Sequence, residues 1–250
     1  MSKASGIDYF FQGFSLIKTK GLRSFVFIPL IINTLLFIGA FYFLFGEIAY
    51  YIAYIIGLVP DWLGWIKEIL IYLLWPIAVV SVLLIFALIF GTLANWIAAP
   101  FNGLLAEKVE AHLTGKQISN SSALDVLRDI PRTLGREFTK LAYYLPRAIG
   151  FLILFFLLPV LGQVLWFLFS AWMMSVQYAD YPFDNHKVPF RKMKNQLLAD
   201  KSLTFSFGIM VNICALIPIV NFIVMPVAIC GATAMWVNEH KADTLSSYND

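Results

Sequence analysis

The chain has 250 residues, of which 60% are hydrophobic and 13% are charged. A soluble domain carries about twice that charged fraction, so the composition excludes an ordinary soluble protein and indicates an integral membrane protein. The net charge of +3 suits contact with anionic lipid on one side and gives no case for nucleic-acid binding.

The N-terminal segment, residues 1–23, is basic and precedes the first long apolar run. It contains no A-x-A-like cleavage site, so we expect an uncleaved chain. Apolar residues recur in it at helical spacing, which predicts an amphipathic helix lying in the membrane interface. These residues are Ile7, Phe10, Phe11, Phe14 and Ile17.

Four blocks of the sequence lack charged residues: 24–46, 69–106, 148–179 and 202–238. The first has the length of one membrane crossing, since a helix rises about 1.5 Å per residue through a core of about 30 Å. The second is longer and predicts a tilted transmembrane helix that projects beyond the bilayer.

Lysine and arginine are unevenly distributed between these blocks. Four precede the first block and one lies in residues 47–68, whereas seven lie in 107–147 and five in 180–201. The positive-inside rule then places the N-terminus and residues 107–147 in the cytoplasm, and 47–68 outside. A single crossing by the third block would put the basic segment 180–201 outside, against the rule.

Breaks inside the third and fourth blocks resolve this conflict. Pro159 and Gly162 interrupt the third, and "IPIVN" (217–221) interrupts the fourth, as expected for turns between helices. Each block is therefore predicted to be a re-entrant hairpin that returns to the side it entered, with the tail 239–250 in the cytoplasm. A hairpin tip at membrane depth needs protein or water around it, which implies packing around a shared interior or a second subunit, and we expect a homo-oligomer.

The resulting fold prediction is an all-α integral membrane protein with two transmembrane helices and two re-entrant hairpins. Amphipathic helices are expected at the N-terminus and in the central segment 107–147.

Catalytic and metal-binding signatures are absent from the sequence. The three histidines are far apart, and no nucleotide-binding or hydrolase motif occurs. Cys214 and Cys230 read as small apolar residues without a disulfide. We therefore expect neither an enzyme nor a cofactor nor a metal.

Two groups of charged residues allow alternative interpretations. Glu107 and Glu110 share a helix face, either as a solvated helix end or as a pair with raised pKa facing a polar cavity. A basic stripe recurs every four residues, on a helix broken at Pro131, and indicates either contact with anionic lipid or a funnel for anions. The stripe consists of Arg128, Arg132, Arg136 and Lys140.

Two further arginines stand beside apolar blocks. Arg147 follows Pro146 at an expected helix start and either reaches lipid headgroups or lines a path through the hairpin. Arg23 precedes the first span, where it serves as a topology marker or helps the N–H groups of a helix start to hold an oxyanion. Gly21 would permit close backbone approach there.

Several long strings resemble the CysZ family of bacterial sulfate transporters. They are "GLRSFVFIPL", "NWIAAPFNGLLAE", "YYLPRA", "WFLFSAWMMSVQYADYPFDNHKVPF" and "MPVAICGATAMWV". The resemblance implies sulfate uptake across the inner membrane for cysteine biosynthesis, by a helical fold in which some helices penetrate only partly. The missing ATP motif then favours a channel or facilitator.

The resemblance also implies a site for sulfate. The Gly-Leu-Arg element is associated with sulfate binding in the family, and its counterpart here is Gly21, Leu22 and Arg23, to which we add the N–H group of Ser24. A polar interior is expected on weaker grounds at Asn102, Glu107, Glu110 and Arg147.

The sequence leaves two alternatives open, one for the function of the chain and one for a single string. The chain could be a non-transporting scaffold or accessory subunit that binds anionic lipid. The string "DYPFDNHKVPF" could be a binding motif, but we interpret it as a structured cytoplasmic turn fixed by Pro182 and Pro189.

Overall fold

The computed structural model describes residues 4–85, 91–115 and 123–246, and all of the regular structure in these ranges is helical. The prediction of an all-α membrane protein is confirmed. The helices are α1 (Gly6–Leu16), α2 (Arg23–Gly57), α3 (Gly64–Ile85), α4 (Gly91–Thr114), α5 (Ala123–Leu157), α6 (Leu161–Asn185), α7 (Phe190–Ala199), α8 (Lys201–Ala215), α9 (Pro218–Met235) and α10 (Lys241–Ser246). A 3-10 turn (Asp61–Leu63) precedes α3, and a π-helical turn (Trp236–His240) joins α9 to α10.

The chain forms two compact units, one of residues 28–98 and one of residues 1–27 and 99–250. In the first unit α2 and α3 expose large apolar side chains, with Tyr42 86% and Tyr72 81% exposed. Side chains of this kind suit lipid or a partner helix and are unfavourable in water. Two segments here, Thr34–Gly57 and Asp61–Leu84, are long and apolar enough to span a membrane.

The larger unit has a densely packed core around α1, α6, α8 and α9. Phe10, Phe183, Phe207 and Trp236 are fully buried in it. Glycines allow the helices to approach closely, because a Cβ added at Gly208 would overlap the carbonyl oxygen of Ala171. The unit also contains a third candidate span, Pro131–Leu157.

Both predicted turns between helices are present. α5 and α6 pack together around the connection at 158–160, and α8 and α9 around the connection at 216–217. Val160 adopts φ 66°, which reverses the chain directly before α6. How deeply either hairpin enters a membrane stays a prediction.

Two predictions about α5 are wrong. Pro131 and Pro146 lie inside one continuous helix, so neither breaks it or starts a new one. A proline removes one backbone hydrogen bond, and a long helix that packs against a partner can tolerate this loss.

Only part of the predicted apolar stripe of α1 is buried in the core. Ile7 and Phe11 are 41% and 52% exposed, whereas Gly6 and Gly13 are buried. The glycines face the core because backbone of α8 and α9 lies directly against them. A hydropathy pattern does not identify glycines that allow helices to pack closely.

Candidate functional site

The Gly-Leu-Arg element forms the turn between α1 and α2. Gly21 has φ +92°, a conformation that side-chain-bearing residues rarely adopt, and the space around its Cα is open. Leu22 is buried and anchors the turn, with its N–H donating to the Thr19 carbonyl at 3.2 Å. The element therefore presents its backbone outward from a fixed base.

Arg23 is the first residue of α2, and its side chain is exposed. Its Nε donates to the carbonyl oxygen of Lys18 at 2.9 Å, which ties the guanidinium to the turn that follows α1. Ser24 is also exposed. A fixed cation therefore stands beside a helix start, the arrangement that favours binding of an oxyanion.

Asn102 and Glu110 are both buried on α4. Asn102 Nδ2 donates to the hydroxyl of Tyr181 on α6 at 3.1 Å. Glu107, on the same helix, is half-buried. The predicted polar character of this helix face is thus present at Asn102 and Glu110.

Glu110 is held by two basic partners. Lys241 Nζ lies 2.6 Å and His186 Nε2 lies 2.8 Å from its Oε1. Burial raises the pKa of Glu110, but the hydrogen bonds from His186 and Lys241 outweigh burial and hold the pKa below 4.5. The expectation of a raised pKa is wrong for Glu110, which stays ionised and paired at neutral pH.

The basic stripe on α5 faces α6 rather than lipid. Arg132 Nη1 lies 2.6 Å from Oδ1 of Asp184. Arg136 Nε donates to Oδ1 of Asp180 at 2.8 Å. The interpretation of these arginines as lipid contacts is therefore wrong. The side chain of Arg128 lies outside the described residues.

Lys140 completes this ion network in the core between the two helices. It is 3% exposed, and its Nζ lies 2.6 Å from Oε1 of Glu137 and 3.4 Å from Oδ2 of Asp180. The same Nζ lies 4.6 Å from the ring centre of Tyr181, which Asn102 also contacts. A buried polar path therefore leads from α4 through Tyr181 to the ion pairs.

Sequence reasoning missed this network, although a signal for it exists. Asp180 and Asp184 are four residues apart and share one face of α6, as the stripe shares one face of α5. Lys140 and Asp180 stand equally far from Val160 along the chain, and so do Arg136 and Asp184. An antiparallel hairpin that turns at Val160 necessarily brings these oppositely charged pairs together.

Arg147 is exposed and lies apart from the other predicted interior residues. Its guanidinium stacks on the ring of Tyr143, with Cζ 3.8 Å from the ring centre, and its Nη1 donates to the Tyr143 carbonyl at 2.8 Å. Among the contacts that the structure describes, none joins Arg147 to Asn102 or Glu110. The predicted interior group is thus divided between the core and the surface.

The string "DYPFDNHKVPF" (180–190) forms the last turns of α6, which continues through Pro182 to Asn185, and then the connection at 186–189 that leads to α7. Asn185 Nδ2 donates to the Gly103 carbonyl at 2.8 Å, and His186 contacts Glu110. With Asp180 and Asp184 paired to α5, its polar side chains join α4, α5 and α6. The predicted turn is therefore wrong for Pro182, Asp184 and Asn185, which are helical, and holds only for residues 186–189, where Pro189 directly precedes α7.

Comparison with known proteins adds the family. The family profile described as "Sulfate transporter CysZ/Etoposide-induced protein 2.4" matches residues 9–226. The protein named "Sulfate transporter CysZ" in Salmonella typhimurium strain LT2 is 53% identical over 242 residues, which cover 95% of this chain and 94% of that protein. Its namesakes in Salmonella paratyphi A and Salmonella typhi show the same identity and coverage.

The chain belongs to the CysZ family. All site residues predicted from the sequence lie within the matched range of the family. The family description and the curated relatives name a sulfate transporter, in agreement with the expectation that the chain is not an enzyme.

Proposed function

We propose that the chain is a sulfate transporter that carries sulfate across the bacterial inner membrane and supplies cysteine biosynthesis. The observation that carries the proposal is the 53% identity, over 95% of the chain, to relatives named "Sulfate transporter CysZ". Exposed apolar helices and three candidate spans support a multi-pass membrane location.

The turn at Gly21–Ser24 is the proposed first contact for sulfate. Its open backbone, the start of α2 and the exposed guanidinium of Arg23 converge on one point of the surface. A sulfate dianion needs N–H donors and positive charge in that combination. The fixed position of Arg23 against Lys18 lowers the entropic cost of binding.

The polar interior of the proposed transporter comprises Asn102, Glu107 and Glu110, with Arg147 at the surface. Glu110 presents little repulsion to a passing anion, since the ammonium group of Lys241 neutralises it. The motifs predict channel-like transport without ATP, and the hairpin tips predict a homo-oligomer in the lipid bilayer.

The alternative function is that of a non-transporting scaffold or accessory subunit that binds anionic lipid. Its main support in the sequence was the basic stripe, and Arg132, Arg136 and Lys140 are instead paired with carboxylates. Sulfate transport is therefore the better supported proposal.

Uptake of labelled sulfate by liposomes that contain the purified protein tests the proposal. Uptake above that of empty vesicles supports a transporter. A flat time course would favour the scaffold.

A further inference from the structure

A second group of cations lies outside the Gly-Leu-Arg element and outside the ion network. It consists of Arg147 on α5 with Arg191 and Lys194 on α7. Arg147 Cζ lies 3.8 Å and Lys194 Nζ lies 4.2 Å from the centre of the same ring, that of Tyr143. The ring of Tyr143 therefore contacts cations from two helices.

Two contacts hold the ring of Tyr143 in place. Trp172 Nε1 donates to the hydroxyl of Tyr143 at 3.2 Å, and the ring of Phe190 packs edge-on against it at 5.6 Å. Phe190 also lies 5.3 Å from Lys194 Nζ. The aromatic pair thus forms a preorganised platform, and its cations need little ordering to bind a ligand.

Arg191 joins the group because it precedes Lys194 by three residues on α7, so that both lie on one face. Burial lowers the pKa of Lys194, and the charges of Arg147 and Arg191 lower it further. Among the described residues, no carboxylate forms an ion pair with any of these three cations. The group therefore carries uncompensated positive charge that a bound anion would neutralise.

The position of the group along the chain indicates where it meets its ligand. Arg147 is the last charged residue before the uncharged block 148–179. Beyond it α5 exposes apolar side chains, with Ile149 53% and Phe156 75% exposed. The cations therefore lie where the exposed apolar part of α5 begins, which in the predicted membrane hairpin is the position at which basic residues meet headgroups and solutes.

We propose that Arg147, Arg191 and Lys194, on the platform of Tyr143 and Phe190, form a second binding site for a tetrahedral oxyanion. The oxyanion is either free sulfate or the phosphate of an anionic lipid, since both offer the same charged oxygens to guanidinium and ammonium donors. The site is separate from Arg23 and does not depend on the transport proposal.

The test compares Lys194→Gln with Lys201→Gln, which removes one charge from an exposed lysine of the same basic segment. In the first arm, inorganic sulfate is titrated calorimetrically into the Arg23→Ala protein with and without each lysine change. In the second arm, phosphatidylglycerol retained per chain after detergent exchange is counted by native mass spectrometry.

We expect Lys194→Gln to weaken binding about tenfold in one arm, because one charge-assisted contact is lost, and Lys201→Gln to leave it unchanged. Lys194→Arg should restore binding, which a merely structural defect would not permit. Loss in the first arm identifies sulfate as the ligand, and loss in the second identifies lipid phosphate. Equal binding by Lys194→Gln and Lys201→Gln in both arms would overturn the proposal, whatever the result of the uptake assay.

Discussion

Arg23 has two proposed roles, topology marker and anion ligand, which the sequence alone presents as alternatives. It is a basic residue beside an apolar span, and it also stands at a helix start beside an open turn. The hydrogen bond from Arg23 Nε to the carbonyl of Lys18 holds the side chain in place at this helix start. Marking topology and holding an anion need the same charge at the same place, so the roles are compatible.

Replacing Arg23 by alanine should separate these roles. We expect Arg23→Ala to weaken sulfate binding about tenfold or more, because a charge-assisted contact contributes about 1.5–3 kcal/mol. Equilibrium binding of labelled sulfate to the purified protein measures the change. Lys20→Ala, which removes an exposed charge from the same turn, is the control and should bind as the wild type does. Equal binding by the two variants would leave Arg23 as a topology marker alone.

Asp180 is the residue on which the buried ion network depends most. It is 1% exposed and contacts both Arg136 and Lys140. Removing one partner of a buried pair leaves the other charge buried and uncompensated. We therefore expect Asp180→Asn to lower the free energy of unfolding by about 3–5 kcal/mol, measured by thermal unfolding in detergent.

The control for this variant is Asp129→Asn on the exposed side of the same network. Asp129 lies 3.0 Å from Arg132 but is 58% exposed, so its loss should cost less than about 1 kcal/mol. Similar losses from Asp129→Asn and Asp180→Asn would contradict the assignment of the network to the core.

We expect Glu110 to make the stability of the chain sensitive to acid. Its pKa in the folded chain lies below the ordinary 4.5, so the ionised carboxylate contributes stability above about pH 4.5. That contribution is lost as the pH falls through the lowered pKa. We expect the melting temperature of the wild type to fall more steeply with acid than that of Glu110→Gln, measured from about pH 7 to about pH 3. Parallel curves would show that the pairing with His186 and Lys241 adds no pH dependence.

At the scale of the helices, glycine decides how closely the core of the larger unit packs. A Cβ at Gly208 would overlap the backbone of Ala171 on α6, which cannot move aside as a flexible side chain can. We expect Gly208→Ala to cost about 1–3 kcal/mol of stability, measured by thermal unfolding. Gly150→Ala is the matched control, since the space around Gly150 is open and alanine favours helix there. An unaffected Gly208→Ala protein would contradict the close approach of α6 and α8.

The hairpin of α5 and α6 shows how far the sequence carries a fold prediction. Pro159 and Gly162 correctly predict the turn, because a proline and a glycine close together in an apolar block favour a break between helices. The continuity of α5 through Pro131 and Pro146 is not predictable in this way, because packing against α6 overrides a local propensity.

The ion pairs between α5 and α6 can be predicted from the sequence, but only by combining two inferences. A turn at Val160 fixes which residues face each other, and only then do the basic stripe and the two aspartates become partners. The contact of Lys241 with Glu110 could not be predicted from the sequence. The two residues are far apart along the chain, and no hairpin determines which tail residue faces α4. The binding role of Gly21–Ser24 comes from family resemblance and stays a prediction.

At the scale of the whole molecule, the proposal is that two compact helical units serve sulfate transport. Apolar side chains exposed on α2 and α3 require lipid or partner subunits, and the buried charges between α5 and α6 of the larger unit are paired. These ion pairs keep the net charge of the polar interior close to zero. A divalent anion can pass such an interior without being bound too tightly or repelled.

Sulfate uptake by reconstituted protein is the measurement that tests this account most directly. Purified wild type, Arg23→Ala and Lys20→Ala are placed at equal density in liposomes, and the entry of labelled sulfate down its gradient is followed without ATP. The account predicts uptake above empty vesicles for the wild type and Lys20→Ala, and uptake reduced about tenfold or more for Arg23→Ala. Wild-type uptake no greater than that of empty vesicles, at a density at which the protein is folded and inserted, would contradict the proposed function.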